Sequence, residues 1–517
     1  MTASPAGIAP GSWLAVLRLA FAARPWLAIR ALAVRALGKK VRAWNWLCFA
    51  AAENPDYYRA WIKAVEPRLL PRAAPIESGL VGAVLLDGDS AETRASLRSA
   101  FGPGIQIFDA TAPPGGAKVP QWLLPICAGD RVSPALGAVL GQRLPHCNAP
   151  LVYWDEDGVV LGRRTAPWIK PDWDPLLFRA NGGLVGSCVL RSGGSIDAPR
   201  GDWFALALHR AEGAAAPLHL PMILTHRSAP HAARTRPTVA APSVSISVLV
   251  PTRDRAELLA TCLEGLSRTQ FPGEHEIIIV DNGSCEPSTR ALFERLEATG
   301  EARVLPQPGP FSFAALANAG VAAARGEFVC LLNNDIEVLS PTWLERMAAW
   351  ASREDVGAVG ARLLYPDGTI QHAGVALGIA GSAGHVEKGA TPIPGAFAPW
   401  HGETRTVSAV TAACLLVSRT KYCAVGGMDA QNFAIDFNDV DLCLKLAARG
   451  WQSLYCAEAT LVHHESRSRG RVRRGPDKVR FESEIAMLRA RWGTETVVDR
   501  HHSPLFDLKS ERCLLAF

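Results

Sequence analysis

The sequence predicts an α/β protein whose second half is built on a largely parallel sheet, and three stretches carry that expectation. ISVLV runs into Pro251-Thr252-Arg253-Asp254, EIIIV into Asp281-Asn282-Gly283-Ser284, and FVCLL into Asn333-Asn334-Asp335. Short apolar runs separated by helix-length stretches are strands buried on both faces. Open sheets of this kind take ligands outside the carboxyl ends of their strands. Three carboxylates delivered to one edge, one of them in an Asn-Asn-Asp triplet, suit a divalent cation and a phosphorylated nucleotide better than a packed core.

The elements follow in order. Residues 1–75 form a basic helical segment, with a helix from Trp13 to Leu47 that breaks near Pro25. It carries Arg18, Arg24, Arg30, Arg35, Lys39, Lys40 and Arg42 and no acid, together with Trp13, Trp26, Trp44 and Trp46. A basic, Trp-bearing helix can lie in the interface of an anionic bilayer; the alternative is a helical pair packed on the next domain. Residues 76–227 make a first α/β domain, and the Pro-rich stretch 228–243 reads as a linker. From residue 244 to 517 strands and helices alternate: strand 244–250, helix 255–269, strand 276–280, helix 287–298, strand 301–305, helix 313–325, strand 327–332 and helix 341–352.

The first domain repeats this opening in weaker form. GAVLLDGD, a helical SAETRASLRSAF and IQIFDA parallel the strand, helix and strand-Asp of the second half, and WLLPICAGDRVSP parallels FVCLLNNDIEVLSP. Cys127-Ala128-Gly129 then stands against Asn333-Asn334-Asp335, and Phe204 stands where a helix-borne acid is expected. Asp155, Glu156 and Asp157 cluster without partners of recognisable spacing.

Composition narrows the class. With 517 residues, 48% hydrophobic and 20% charged, the chain is globular and long enough for two or three domains. A net charge of +5 does not call for nucleic acid as a partner. Twelve scattered cysteines without a Cys-x-x-Cys pair read as reduced residues of a cytoplasmic protein. No run is long and apolar enough to span a membrane.

The series VSISVLVPTRD, IIIVDNGS, Asn318-Ala319-Gly320, LLNNDIEVLSP, GGMD, FNDVDLCLKLAARG and LVHHESRSRG resembles the family 2 glycosyltransferases of GT-A fold, in particular those of bacterial O-antigen, rhamnan and capsular polysaccharide synthesis. The resemblance covers roughly residues 244–500, and residues 153–182 look like the first domain of two-domain members. It implies a catalytic GT-A domain preceded by a degenerate GT-A-like domain. It also implies an inverting transfer from a UDP-, dTDP- or GDP-sugar to a saccharide or lipid-linked acceptor, assisted by Mg²⁺ or Mn²⁺, with possible peripheral contact at the cytoplasmic face of the inner membrane.

The same resemblance distributes roles. Pro251, Thr252, Arg253, Asp254, Asp281, Gly283, Asn318, Asn333 and Asn334 form the nucleotide-sugar set, Asp335 and His463 hold the metal, and Asp439 is the base. His464, Asp441 and Arg469 are secondary candidates, Arg469 within a run of arginines that could close on a diphosphate. Local readings stand beside several of these: Asp281 as an Asx turn, Asp254 as the cap of the helix starting near Arg255, and Asn438 and Asp441 as capping groups. At a helix N-terminus Asp439 is expected to stay ionised. The roles of His372 and His385 do not follow from sequence.

Two other classes are weighed. A non-catalytic scaffolding subunit would not need Asp335, Asp439 and His463 together. A processive synthase would carry spanning helices and Gln-x-x-Arg-Trp, whereas Leu488 precedes Arg491-Trp492 here. A nucleotidyltransferase would open its sheet with a Gly-rich, Lys-bearing loop, which is missing.

Overall fold

The computed structural model describes residues 12–74, 76–110, 119–181, 183–192, 202–213, 215–229, 243–391, 399–464 and 475–517. Most of the linker (residues 230–242) and the arginine run with Arg469 lie outside the described residues. The chain divides into two compact units. The first takes Met1–Pro237, Pro394–Pro399 and His502–Phe517, and the second Thr238–Ile393 and Trp400–His501.

The first unit opens on four helices, α1 (Ser12–Ala23), α2 (Pro25–Ala36), α3 (Lys40–Ala52) and α4 (Tyr57–Ala64). Pro25 occupies the first turn of α2, where a missing N–H costs nothing, so the break falls where expected. A second break comes at Gly38, whose φ of 78° suits a residue without Cβ. The chain's last segment returns to these helices rather than to the second unit, against the expected 244–517 boundary. Trp44 donates to Asp507, the Tyr57 hydroxyl donates to Leu515 O at 2.9 Å, and Trp61 Nε1 donates to Ala516 O at 2.9 Å.

The sheet of the first unit comprises β1 (Val81–Leu86), β2 (Gln106–Asp109), β3 (Trp122–Cys127), β4 (Arg131–Val132), β5 (Leu151–Val160), β6 (Arg163–Trp168), β7 (Cys188–Arg191) and β8 (Leu218–Arg227). Its order is β2-β1-β3-β7-β5-β8-β4, with β6 on β5.

The second unit contains β9 (Ile246–Thr252), β10 (His275–Asp281), β11 (Arg303–Pro306), β12 (Phe328–Leu332), β13 (Ile336–Val338), β14 (Val356–Leu364), β15 (Ile370–His372), β16 (Val375–Leu377), β17 (Ala383–His385), β18 (Arg405–Val407), β19 (Cys414–Ser418) and β20 (Gln452–His463). The sheet runs β11-β10-β9-β12-β19-β14-β20-β13, with β15 on β14 and β18 on β20, while β16 and β17 pair separately. The four strands β11, β10, β9 and β12 are mutually parallel, and every residue of β9 is buried. That is why their sequences read as unbroken apolar runs. Mixed α/β sheets behind an N-terminal helical region are the class that the sequence predicts.

The two orders correspond strand for strand once β11 is set aside, with the same parallel and antiparallel senses. The correspondence corrects the expected alignment by one residue. Three residues separate β3 from β4 and three separate β12 from β13, so Asp130 rather than Gly129 matches Asp335. Arg131 pairs with His226 as Ile336 pairs with His463, so His226 matches His463.

These first-unit groups face inward. Ser228 donates to Asp130 Oδ1 from its amide (2.8 Å) and hydroxyl (3.0 Å), and His226 Nδ1 meets Asp157 at 2.7 Å. Asp155, Glu156 and Asp157 are all buried; besides His226, their partners include His219 (3.0 Å), Lys170 (3.0 Å), Arg164 (2.5 Å) and the Tyr58 hydroxyl (2.5 Å). Burial raises the Asp155 carboxyl against the opposing pull of His219. The helix Trp203–Ala211 is capped by Asp202 through Ala205 N at 2.9 Å, with buried Phe204 in its second position.

Candidate active site

Three neighbouring strands of the second unit end together. Asp281 closes β10 in register with Thr252 of β9, and Asn334 follows β12. Asn334 Nδ2 donates to Thr252 Oγ1 at 2.7 Å, which ties two of these ends. Asp281 Oδ1 accepts from the Ser284 amide (2.8 Å) and hydroxyl (2.5 Å), so the Asx-turn geometry is present at this strand end. Gly283 turns the chain at a φ of 79°. Beside it, Asn282 is buried and its Oδ1 has no hydrogen-bond partner among the described residues. Sequence reading passed over this orphaned acceptor, since Asp-Asn-Gly reads first as a turn.

Asp254 does cap a helix, but not the one expected. Its Oδ1 accepts from Cys285 N (2.6 Å) and Glu286 N (2.8 Å), at the mouth of the helix Pro287–Thr299. Those amides, that of Glu286 foremost, hold its pKa below the ordinary carboxylate value. Asp254 and Arg255 take left-handed φ of 55° and 62°, an unfavourable pair for residues with a Cβ. Pro251 is buried in β9, and Arg253 is exposed at its end.

Asn318 lies elsewhere. Its Nδ2 donates to Met428 O (2.8 Å), and its Oδ1 accepts from Tyr422 Oη (2.6 Å) and Met428 N (3.0 Å). The carboxamide thereby anchors the Gly-Gly-Met-Asp loop.

Asp335 and His463 do meet: His463 Nε2 lies 3.0 Å from Asp335 Oδ1, and Asn333 Nδ2 lies 3.2 Å from the same nitrogen. On the far side of the ring, Nδ1 is 2.6 Å from Gln371 Oε1. An amide oxygen only accepts, so Nδ1 carries a proton, and Nε2 is the ring nitrogen that faces Asn333 and Asp335. Burial pushes the Asp335 carboxyl up, but His463 outweighs it and the net shift is downward. His464 points away, to Glu337 Oε2 at 3.0 Å, while its amide donates to Asp335 O at 3.0 Å.

A carboxylate, an imidazole nitrogen and a carboxamide within this small space are groups that could hold Mg²⁺ or Mn²⁺. No group of three or more His, Cys, Asp or Glu side chains is gathered for a metal among the described residues.

Asp439 stands second in the helix Asn438–Ala447, behind Phe437 at a left-handed φ of 62°. Val440 N donates to its Oδ1 (2.8 Å) and Ala412 N to its Oδ2 (3.0 Å). Burial nevertheless raises its pKa above the ordinary carboxylate value, outweighing these bonds and the helix terminus. The adjoining residue, Ala413, accepts from Asn333 N at 2.9 Å. One dipeptide thus holds both the Asn-Asn-Asp triplet and Asp439.

Asp441 belongs to the scaffold instead. Fully buried, it accepts from Arg491 Nη1 (2.8 Å) and Trp492 Nε1 (3.0 Å), with Lys445 Nζ at 3.3 Å. Arg491-Trp492 thereby fasten the helix Pro476–Trp492 to the helix that carries Asp439. Arg491→Met should lower stability by roughly 2 kcal/mol in urea denaturation, because buried Asp441 loses its best-placed partner. No loss would mean that Lys445 alone compensates.

His372 and His385 acquire a place here. Thr411 N approaches His372 Nε2 at 3.4 Å, and the two Nδ1 atoms lie 2.8 Å apart. His372 is completely buried, and burial lowers its pKa well below the ordinary value. It stands as a neutral brace beside the loop that holds Asp439.

Residues 247–402 match the family model described as Glycosyl transferase family 2. The uncharacterized protein y4gI of Sinorhizobium fredii is 42% identical over 276 residues, 52% of this chain and 30% of the relative. The O-antigen biosynthesis protein RfbC of Myxococcus xanthus is 34% identical over 395 residues, 66% of this chain and again 30% of the relative. The chain thus spans less than a third of these two proteins. An N-acetylglucosaminyl-diphospho-decaprenol L-rhamnosyltransferase of Mycobacterium tuberculosis is 26% identical over 219 residues, 38% of this chain and 68% of that protein. With the motifs standing at the strand ends described above, residues 247–402 of the second unit are similar to the family 2 glycosyltransferase domain.

Proposed function

We propose that the second unit is an inverting, divalent-cation-dependent glycosyltransferase that moves a sugar from a nucleotide sugar to a saccharide or lipid-linked saccharide in bacterial surface polysaccharide synthesis, at the cytoplasmic face of a membrane. The observation that carries this reading is the Ala412-Ala413 dipeptide, which binds Asp439 on one residue and Asn333 on the next. A proton acceptor and a cation-binding end are thereby held in one assembly, as sugar transfer from a diphosphate requires.

Thr252, Asp281 and Asn334 line the donor edge, and Asp335 and His463, with Asn333, would hold Mg²⁺ or Mn²⁺. When bound, the cation neutralises charge on the departing diphosphate. Asp439 takes the proton of the acceptor hydroxyl as that oxygen bonds to the anomeric carbon and the bond to the diphosphate oxygen breaks. Its raised pKa strengthens it as a base.

The first unit is read as a non-catalytic, degenerate GT-A-like domain. Asp130 is engaged internally by Ser228, and Phe204 stands where Asp439 stands in the second unit.

A screen of UDP-, dTDP- and GDP-sugars for hydrolysis or transfer, with and without Mn²⁺, tests the reading. At least one donor should turn over only with the cation, whereas failure of every donor to bind or react would favour a scaffolding subunit. Within the same site, Gln371→Leu should weaken Mn²⁺ binding by about 10–100-fold through loss of the tautomer-fixing acceptor, read by titration of the metal. An unchanged affinity would mean that His463 orients itself without Gln371.

A further inference from the structure

Twelve large hydrophobic residues are exposed among the described residues, and five of them, Leu14, Phe21, Trp26, Ile29 and Leu37, fall on α1, α2 and the turn that follows. On α1 the exposed positions Leu14, Arg18 and Phe21 are spaced four and seven apart, one helical face. On α2, Trp26, Ile29, Arg30, Ala33 and Leu37 follow the same rule. The opposite faces are buried at Val16, Ala20, Ala28 and Ala31, so the apolar stripes are not the ones used for packing within the unit. Trp26 is 79% exposed and Leu37 74%, far beyond a side chain that happens to touch the surface.

The charge around these stripes is one-sided. No acid precedes Glu53, while seven cations lie between Arg18 and Arg42. Glu53 is matched by Arg24 at 2.6 Å, and Arg30 and Arg35 lie over the rings of Trp46 and Trp13. Arg18, Lys39, Lys40 and Arg42 are left exposed around the apolar positions. Among the described residues no helix is long and apolar enough to cross a membrane.

We infer that α1 and α2 form an interfacial docking surface for an anionic bilayer. Trp26, Ile29, Leu37, Leu14 and Phe21 enter the headgroup boundary while the surrounding cations meet lipid phosphates. An apolar stripe supplies partition energy and a cation cluster supplies selectivity for negative lipid, and neither suffices alone. Uniform positive charge favours this occupant over a second copy of the chain, whose matching face would repel it.

Flotation of the full chain with vesicles of phosphatidylcholine, with and without phosphatidylglycerol, tests the inference. The protein should float with the anionic vesicles and release them as salt rises. Trp26→Ser/Leu37→Ser and, separately, Lys39→Glu/Lys40→Glu should each weaken partition about tenfold or more. Both pairs are exposed, so unchanged circular dichroism and melting will certify the fold. Equal partition onto neutral vesicles, or unaltered partition of either variant, would overturn the inference. So would an oligomer that forms without lipid and dissolves in the serine variant, since a second copy would then cover the face. The outcome is independent of whether the second unit transfers sugar.

Discussion

Asp439→Asn is expected to reduce sugar transfer by about 10²–10⁴-fold while leaving the affinity for a nucleotide donor within a few-fold of the parent. The variant keeps the size of the side chain and removes the proton acceptor. In the proposed site donor binding falls to Thr252, Asp281, Asn334 and the Asp335–His463 pair, none of which the structure bonds to Asp439. Steady-state kinetics against direct donor titration separate the two effects, and a variant with unchanged turnover would move the base elsewhere.

The same substitution carries a pH signature. Burial raises the folded-state pKa of Asp439 above its unfolded value. Whatever stability the group contributes is therefore fully present below the unfolded pKa, about 4, and is lost as pH rises through the folded pKa. The stability of the parent relative to Asp439→Asn should fall over that interval and then level off. Melting curves across pH 4–8 read this directly. A constant difference would mean that Asp439 is as hydrated in the folded protein as in the unfolded chain.

Asp335→Asn is expected to have a comparable effect by another route. It removes the one carboxylate beside His463 Nε2 among the described residues, and with it the negative charge that a hard cation needs. Activity should fall by about 10²-fold or more and should not be rescued by excess Mn²⁺. Inductively coupled plasma analysis of protein dialysed with nucleoside diphosphate should find the variant depleted of metal. Retained metal with lost activity would assign Asp335 to the sugar rather than to the cation.

The strands and helices between residues 246 and 351, β13 excepted, were legible because each is a regular run of one period, bounded by Gly, Pro or Asx turns. The strands β13 and β15 to β18 were not, since three-residue segments carry no period to read. The pairing of Asp335 with His463 was expected from resemblance, yet Gln371 was invisible. It acts across 92 positions, and nothing local distinguishes it from a solvated glutamine.

Asp441 and Asn318 show the opposite limit. Both sit in suggestive motifs, but Arg491-Trp492 and the Met428 backbone engage them only once distant segments are folded together. The match of Asp130 to Asp335 depended on strand ends. A single-residue ambiguity in an apolar run conceals such a register.

The central claim is that Asp335 and His463 form a cation site which serves a bound nucleoside diphosphate. Electron paramagnetic resonance of Mn²⁺ titrated into the full chain with UDP, dTDP or GDP tests it most directly. One tightly bound Mn²⁺ should appear with at least one of these nucleotides and vanish in Asp335→Asn, while Asp130→Asn leaves it in place. Binding that survives Asp335→Asn, or that is lost in Asp130→Asn, would contradict the account and place the cation in the other unit.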